Sequence, residues 1–106
     1  MKSEHLGEFE ELTLLALRAI GEGAYAVPVQ RYLESATNRT VTMGAVYAAL
    51  DRLERKGLVR SALGEPTRER GGKAKRLFVV TPAGMQTVRY LRRVRDRIWR
   101  AIEEGR

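Results

Sequence analysis

The dipeptide Thr81-Pro82, with the long amphipathic run behind it, constrains this chain more than any other feature of its sequence. A threonine can accept the orphan amides of a first helical turn, and a proline at the first helical position forfeits no hydrogen bond. Together they predict a helix from Pro82 to about Glu103, some 22 residues or about 33 Å. Within it Val88, Leu91, Val94, Ile98 and Ile102 recur at spacings of 3, 3, 4 and 4, with Trp99 beside the seam. A helix that long cannot hide such a stripe against the roughly 75 residues of domain before it, so the seam calls for a second chain.

Upstream, Phe9, Leu12, Leu15, Ala16, Ala19 and Ile20 predict a helix over Glu8–Ile20, ended by Gly21-Glu22-Gly23. Leu14 and Leu17 widen its stripe, as in a helix covered on two sides. A second helix is expected from about Tyr25 to Ala36, with Pro28 in its first turn and Val29, Leu33 and Ala36 facing inward. Asn38-Arg39 reads as a turn and Thr40-Val41 as one short β-bridge. The third helix has the sharpest limits: Thr42 caps it, Met43 to Lys56 carry Val46, Leu50 and Leu53 on one face, and Gly57-Leu58 reads as a Schellman stop. Two β-like runs follow, Leu58 to Leu63 and Lys75 to Val80, joined by 11 residues rich in Gly, Pro and charge. The fold class is therefore mainly α with a small β-hairpin. A winged helix-turn-helix occupies 1–81 and a long C-terminal dimerisation helix 82–106.

The 106 residues contain no Cys and one His, which excludes disulfides, thiolate metal sites, cysteine nucleophiles and histidine triads. His5 is expected in a tail without a role. No apolar run approaches the ~18 residues of a membrane span, and Met1-Lys2-Ser3-Glu4-His5 lacks the apolar core of a signal peptide. Gly72-Lys73-Ala74 has the look of a phosphate-binding loop but fails twice, with Thr67 where glycine is needed and Ala74 where a hydroxyl must meet magnesium. A soluble cytoplasmic, nucleoid-associated protein is expected, with no cofactor and no metal. It is not expected to be an enzyme, since no carboxylate pair or activated nucleophile is visible.

The charge is uneven. Residues 1–56 hold 7 basic and 8 acidic side chains and residues 57–106 hold 13 and 5, so the halves carry −1 and +8 of the total +7. A one-sided surplus points to a polyanion. Arg68, Arg70, Lys73, Lys75 and Arg76 form one cluster against Glu69, and six arginines between 89 and 100 form another against Asp96. The second and third helices make a helix-turn-helix and the hairpin a wing at 64–75. The capped start of the third helix (Thr42, Met43, Gly44, Ala45) is small enough to enter a major groove, where Thr42, Tyr47 and Arg52 can reach phosphates or bases. Arg52, Arg55 and Lys56 also suit ordinary pairing with Asp51 and Glu54; of the three, Arg52 is the expected contact and Lys56 is expected to be solvated.

Three stretches together resemble the PadR family of transcriptional regulators: Leu6-Gly7-Glu8-Phe9-Glu10 to Leu17, Gly44-Ala45-Val46-Tyr47 through Leu53-Glu54-Arg55-Lys56-Gly57-Leu58-Val59, and Gly71-Gly72-Lys73-Ala74-Lys75-Arg76 through Thr81-Pro82-Ala83-Gly84. The resemblance covers residues 6–90. It implies a homodimeric winged-helix repressor on a near-palindromic operator in double-stranded DNA. Tyr47 would be the recognition-helix tyrosine, and Lys73, Lys75 and Arg76 would be wing contacts; Arg70, in the same basic cluster, is also expected to contact DNA. In the family the C-terminal helix packs on the partner's first helix. The expected dimer contacts are therefore Phe9, Leu12, Val88, Leu91, Val94, Ile98, Trp99 and Ile102. With one helix after the wing, the chain is similar to the family's short members.

Phe9 and Trp99 raise a further option, a flat slot for a small aromatic effector; packing of Trp99 on the partner's first helix is the plainer reading. Two alternatives to a specific regulator remain. One is a non-specific nucleic-acid-binding or chromosome-associated winged helix. The other is a protein–protein adaptor working through the C-terminal helix.

Overall fold

The computed structural model describes residues 5–64 and 74–105. Six elements follow in order: α1 (Glu8–Ile20), α2 (Ala26–Thr37), α3 (Met43–Arg55), β1 (Val59–Leu63), β2 (Arg76–Val80) and α4 (Pro82–Glu103). The first three helices pack on one another around Leu14, Leu17, Val29, Leu33, Val46, Leu50 and Leu53, and Val59 and Phe78 of the hairpin close that core.

Most of the apolar stripe of α1 meets the core as its spacing suggests: Ala16 is buried, and Phe9, Leu12 and Ile20 pack against the core. Leu14, Leu17 and Thr13 are buried, whereas Leu15 is 44% exposed and Ala19 is also outside. Besides α2 and α3, the helix meets β2 and α4, so it is covered on more than one side, as its widened stripe suggests. In α2 the inward set is Ala26, Val29 and Leu33; Ala36 is exposed, where the helix end runs clear of the core. No β-bridge forms at Thr40-Val41. The Val41 N–H donates to Glu34 Oε2 (3.0 Å), and its carbonyl accepts from Gln30 Nε2 (2.7 Å). Two α2 side chains thereby satisfy the groups a strand would have used. The backbone bond that joins the helices to the hairpin runs instead from the Phe78 N–H to the Ala24 carbonyl, between α1 and α2 (2.9 Å).

The limits of α3 follow from its caps. Thr42 Oγ1 accepts the Ala45 N–H at 3.1 Å. At the other end Gly57 takes φ +76°, which only glycine adopts without strain. Its N–H bonds to the Glu54 carbonyl while the Leu58 N–H bonds to the Leu53 carbonyl, each at 3.0 Å, which is the Schellman pair. Because Leu58 belongs to that turn, β1 begins one residue later than its apolar run. The strands pair antiparallel, from Val59 opposite Val80 to Leu63 opposite Arg76.

The start of α4 is fastened to the α3–β1 turn. Thr81 Oγ1 accepts the Gly84 N–H (3.1 Å) and donates to the Gly57 carbonyl (2.8 Å), and the Thr81 N–H reaches the Leu58 carbonyl (3.0 Å). A Cβ on Gly84 would stand 2.3 Å from the Leu58 carbonyl oxygen and 2.7 Å from Val80 Cγ1, so the close approach requires glycine. Further along, α4 packs on α1 and β2, and Arg95 pairs with Glu11. Its seam starts in the core at Val88, passes through half-buried Leu91 and Val94, and ends in solvent at Ile98, Trp99 and Ile102. Among the described residues no helix is long and apolar enough to cross a membrane.

Candidate nucleic-acid interface

With Val46, Ala49, Leu50 and Leu53 of α3 turned into the core, Gly44, Tyr47, Ala48, Asp51 and Arg55 fall on the opposite face. Of these only Ala48 is half-buried; the others are exposed. Tyr47 does not plug the space between helix and hairpin: at 55% exposed it stands on the rim of a shallow groove of about 300 Å³ lined with Leu50, Asp51, Glu54, Arg76 and Phe78. Asp51 and Arg55 form an exposed ion pair one turn apart on this face. Glu54 fixes the root of the hairpin against α3, since its Oε2 accepts Ser61 Oγ (2.7 Å) and its Oε1 faces the Arg76 guanidinium (3.5 Å).

Arg52 and Lys56 turn to the flank, toward α1. Arg52 Nε donates to Glu10 Oε2 (2.9 Å), and Lys56 Nζ donates to Glu10 Oε1 and to the His5 carbonyl, both at 2.7 Å. Lys56 is therefore engaged rather than solvated as the sequence suggested. The backbone at His5, expected in an idle tail, is one of its acceptors. The Glu10 side chain is only 11% exposed. Burial by itself pushes its pKa up, but the hydrogen bonds and charges of Lys56 and Arg52 outweigh burial and hold it below the usual 4.5.

At the root of the second strand, Lys75 Nζ sits 4.5 Å from the centre of the Tyr25 ring, a cation–π contact joining the hairpin to the start of α2. Arg70 and Lys73, with the remainder of 65–73, lie outside the described residues. The structure thus leaves Thr42, Gly44 and Tyr47 exposed at the start of α3, turns half-buried Met43 against the core, sets Arg52 at the helix edge, and ties Lys75 and Arg76 to the hairpin root. Arg55 lies on the outer face with Tyr47 and makes the ordinary helix pair with Asp51 that the sequence allowed; its place beside Tyr47 was not expected. The offsets 44, 47, 48, 51 and 55 follow helical periodicity, and projecting the polar face of α3 as carefully as its apolar one would have found it.

Of the residues expected at a subunit contact, Phe9 and Leu12 pack on the chain's own core and Val88 is buried in it. Ile98, Trp99 and Ile102 remain exposed, with Trp99 at 58%. Among the described residues no group of three His, Cys, Asp or Glu could hold a metal.

The sequence profile described as the transcriptional regulator PadR-like family matches residues 16–90, well over half of the chain. This chain belongs to the PadR-like family. It is a DNA-binding transcriptional regulator of winged-helix fold, and the family's role is regulatory rather than enzymatic. Solved structures agree on the fold. A PadR-like transcription factor from Bacteroides fragilis superposes with a TM-score of 0.74 at 22% identity, covering 91% of this chain and 87% of its own. A PadR-like transcriptional regulator from Bacillus cereus gives a TM-score of 0.72 at 16% identity, with 91% and 88% covered. The complex structure of hsRosR-S1 gives 0.62 at 26% identity, with 92% and 73% covered. No curated protein matches the sequence.

Proposed function

We propose that this PadR-like chain is a homodimeric repressor that reads a near-palindromic operator in double-stranded DNA, acting in the cytoplasm on the nucleoid. The observation that carries the reading is the uncovered face of α3 beside the hairpin, where Tyr47 and Arg55 stand over small Gly44 and Ala48. No described residue outside its own helix turn lies within 4 Å of a Cβ built on Gly44, so its backbone is open to close approach. Small residues let a backbone sink between groove walls. An arginine can then meet a guanine edge with two hydrogen bonds, and a tyrosine a phosphate or a thymine methyl. Thr42, Met43 and Arg52 flank this face, and Arg70, Lys73, Lys75 and Arg76 are proposed to follow the phosphate backbone on the wing side.

The dimer rests on two uncovered apolar surfaces, Ile98, Trp99 and Ile102 on α4 and Leu15 on α1. A two-fold axis that seats each α4 on the partner's α1 buries both, and it spaces the recognition helices one duplex turn apart, about 34 Å. The proposed DNA-binding part, 1–81, and dimerising helix, 82–106, share one core through Gly84 and Val88. Phe9 is already packed inward. An aromatic effector would therefore be held chiefly by Trp99 and its copy across the axis, and thermal-shift screening of planar aromatics tests that option.

Selection from a randomised duplex pool tests the whole reading. The expected result is an inverted repeat with half-site centres about 10 bp apart, lost in a Tyr47→Ala, Arg55→Ala double variant that keeps its melting temperature. Enrichment of no common sequence, or the same repeat from the double variant, overturns it.

A further inference from the structure

The outer side of α4 carries a surface that neither the recognition face nor the dimer seam uses. At 100° per residue, Arg89, Arg93, Arg97 and Arg100 fall within an arc of about 80°, opposite the Val88, Leu91, Ile98 and Ile102 seam. All four are exposed, and no described residue forms an ion pair with any of them. The neighbouring arginines are already engaged: Arg92 faces Asp96 at 3.6 Å and Arg95 pairs with Glu11. Asp96, the one acidic residue between 89 and 100, faces Arg92 rather than a member of the stripe. Three of the four cations follow one another at about 6 Å along the helix axis, and like charges at that spacing disfavour a helix. Among the described residues no carboxylate pairs with these four guanidinium groups.

We propose that this arginine stripe is a second phosphate-binding surface, seated without regard to sequence on the backbone of duplex DNA beyond the operator. The choice of DNA follows from what the stripe contains. All four cations are guanidinium groups, suited to paired hydrogen bonds with phosphate oxygens. Gln86 adds a neutral donor in the same arc, and no aliphatic or aromatic anchor of the kind a protein partner needs lies inside it. A membrane surface would require the helix's apolar side to insert, and that is the side the dimer occupies. The stripe spans about 16 Å, and duplex DNA presents one phosphate charge per ~1.7 Å of axis, so each arginine finds an acceptor. This inference rests on the DNA-binding reading above but not on its recognition residues.

The test compares the wild type with Arg89→Gln, Arg93→Gln, Arg97→Gln, Arg100→Gln combined, binding a random-sequence 40-bp duplex across 50–200 mM salt. Glutamine keeps the helix propensity, and light scattering checks that the oligomeric state is unchanged. The log–log salt slope is expected to become shallower by up to about 3.6 for each protomer whose stripe meets DNA, about 7.2 for the dimer, while the preference for the selected operator is retained. An unchanged slope overturns the stripe and leaves the operator reading standing. A shallower slope together with an operator preference unaffected by Tyr47→Ala, Arg55→Ala supports the stripe and overturns the operator reading instead. A variant that binds DNA as before but loses affinity for phosphatidylserine vesicles or for polyglutamate assigns the stripe to a membrane or an acidic protein and overturns the proposal.

Discussion

Replacing Gly84 by alanine separates two opposed effects with opposite signs. Gly84 lies in the first turn of α4 with no strained backbone angle, so helix propensity alone makes alanine stabilising by about 1 kcal/mol. The surroundings argue the reverse. The new methyl would meet the Leu58 carbonyl oxygen at 2.3 Å, and an ordinary contact demands that one of them move by on the order of 1 Å. That oxygen is backbone, held in the Schellman turn on one side and accepting the Thr81 N–H at 3.0 Å on the other. Forcing it away costs about 1–3 kcal/mol of overpacking and about 1 kcal/mol of weakened hydrogen bond, so the net expectation is a loss of about 1–3 kcal/mol. For a domain of this size each kcal/mol shifts Tm by roughly 4–8 °C, so thermal melting by circular dichroism should show a fall of roughly 4–24 °C at matched protein concentration. A Tm that rises, or does not move, would refute the close approach of α4 to the α3–β1 turn.

Glu10→Gln removes the charge that holds Arg52 and Lys56 and should cost about 1–3 kcal/mol at pH 7. Because the folded pKa of Glu10 is lowered, its stabilisation is full above the ordinary 4.5 and is lost as pH falls through the folded value. Wild-type and variant melting temperatures should therefore converge in acid, and a gap that stays constant from pH 7 to pH 3 contradicts the assignment. Glu54→Ala releases Ser61 and Arg76 and should speed hydrogen exchange at the β1 amides; unchanged protection would mean the hairpin does not depend on that carboxylate. Ile98→Glu places a charge in the proposed subunit seam at an exposed position, so light scattering should report a folded monomer. A persisting dimer would place the contact elsewhere.

What the sequence discloses here is the local chemistry of element ends. Thr42, Gly57 and Thr81-Pro82 each fix a boundary through bonds within a few residues of themselves, and α3 and α4 begin where those residues say. The winged-helix order and the exposed start of α3 follow from the same signals. What stays hidden depends on neighbours distant in sequence. Val41 has the look of a bridge residue, yet Glu34 and Gln30 satisfy its backbone, and the bond to the hairpin falls at Ala24. Lys56 has the pattern of a solvated helix-end lysine until α1 delivers Glu10 to it across 46 positions. In α1 periodicity finds most of the core face, Phe9, Leu12, Ala16 and Ile20, but includes Leu15 and Ala19, which no described element covers. Arg55 was within reach of the sequence, because only the face of α3, and no distant partner, decides its direction.

The central claim is sequence-specific reading by the outer face of α3, and fluorescence anisotropy at 200 mM salt tests it most directly. The probes are the duplex enriched from the random pool and a scrambled duplex of equal length. A preference of about a thousandfold or more, reduced by 1–3 kcal/mol in Arg55→Ala, is the expected result. Equal affinity for the two duplexes would contradict it and leave a winged helix that coats DNA without reading it.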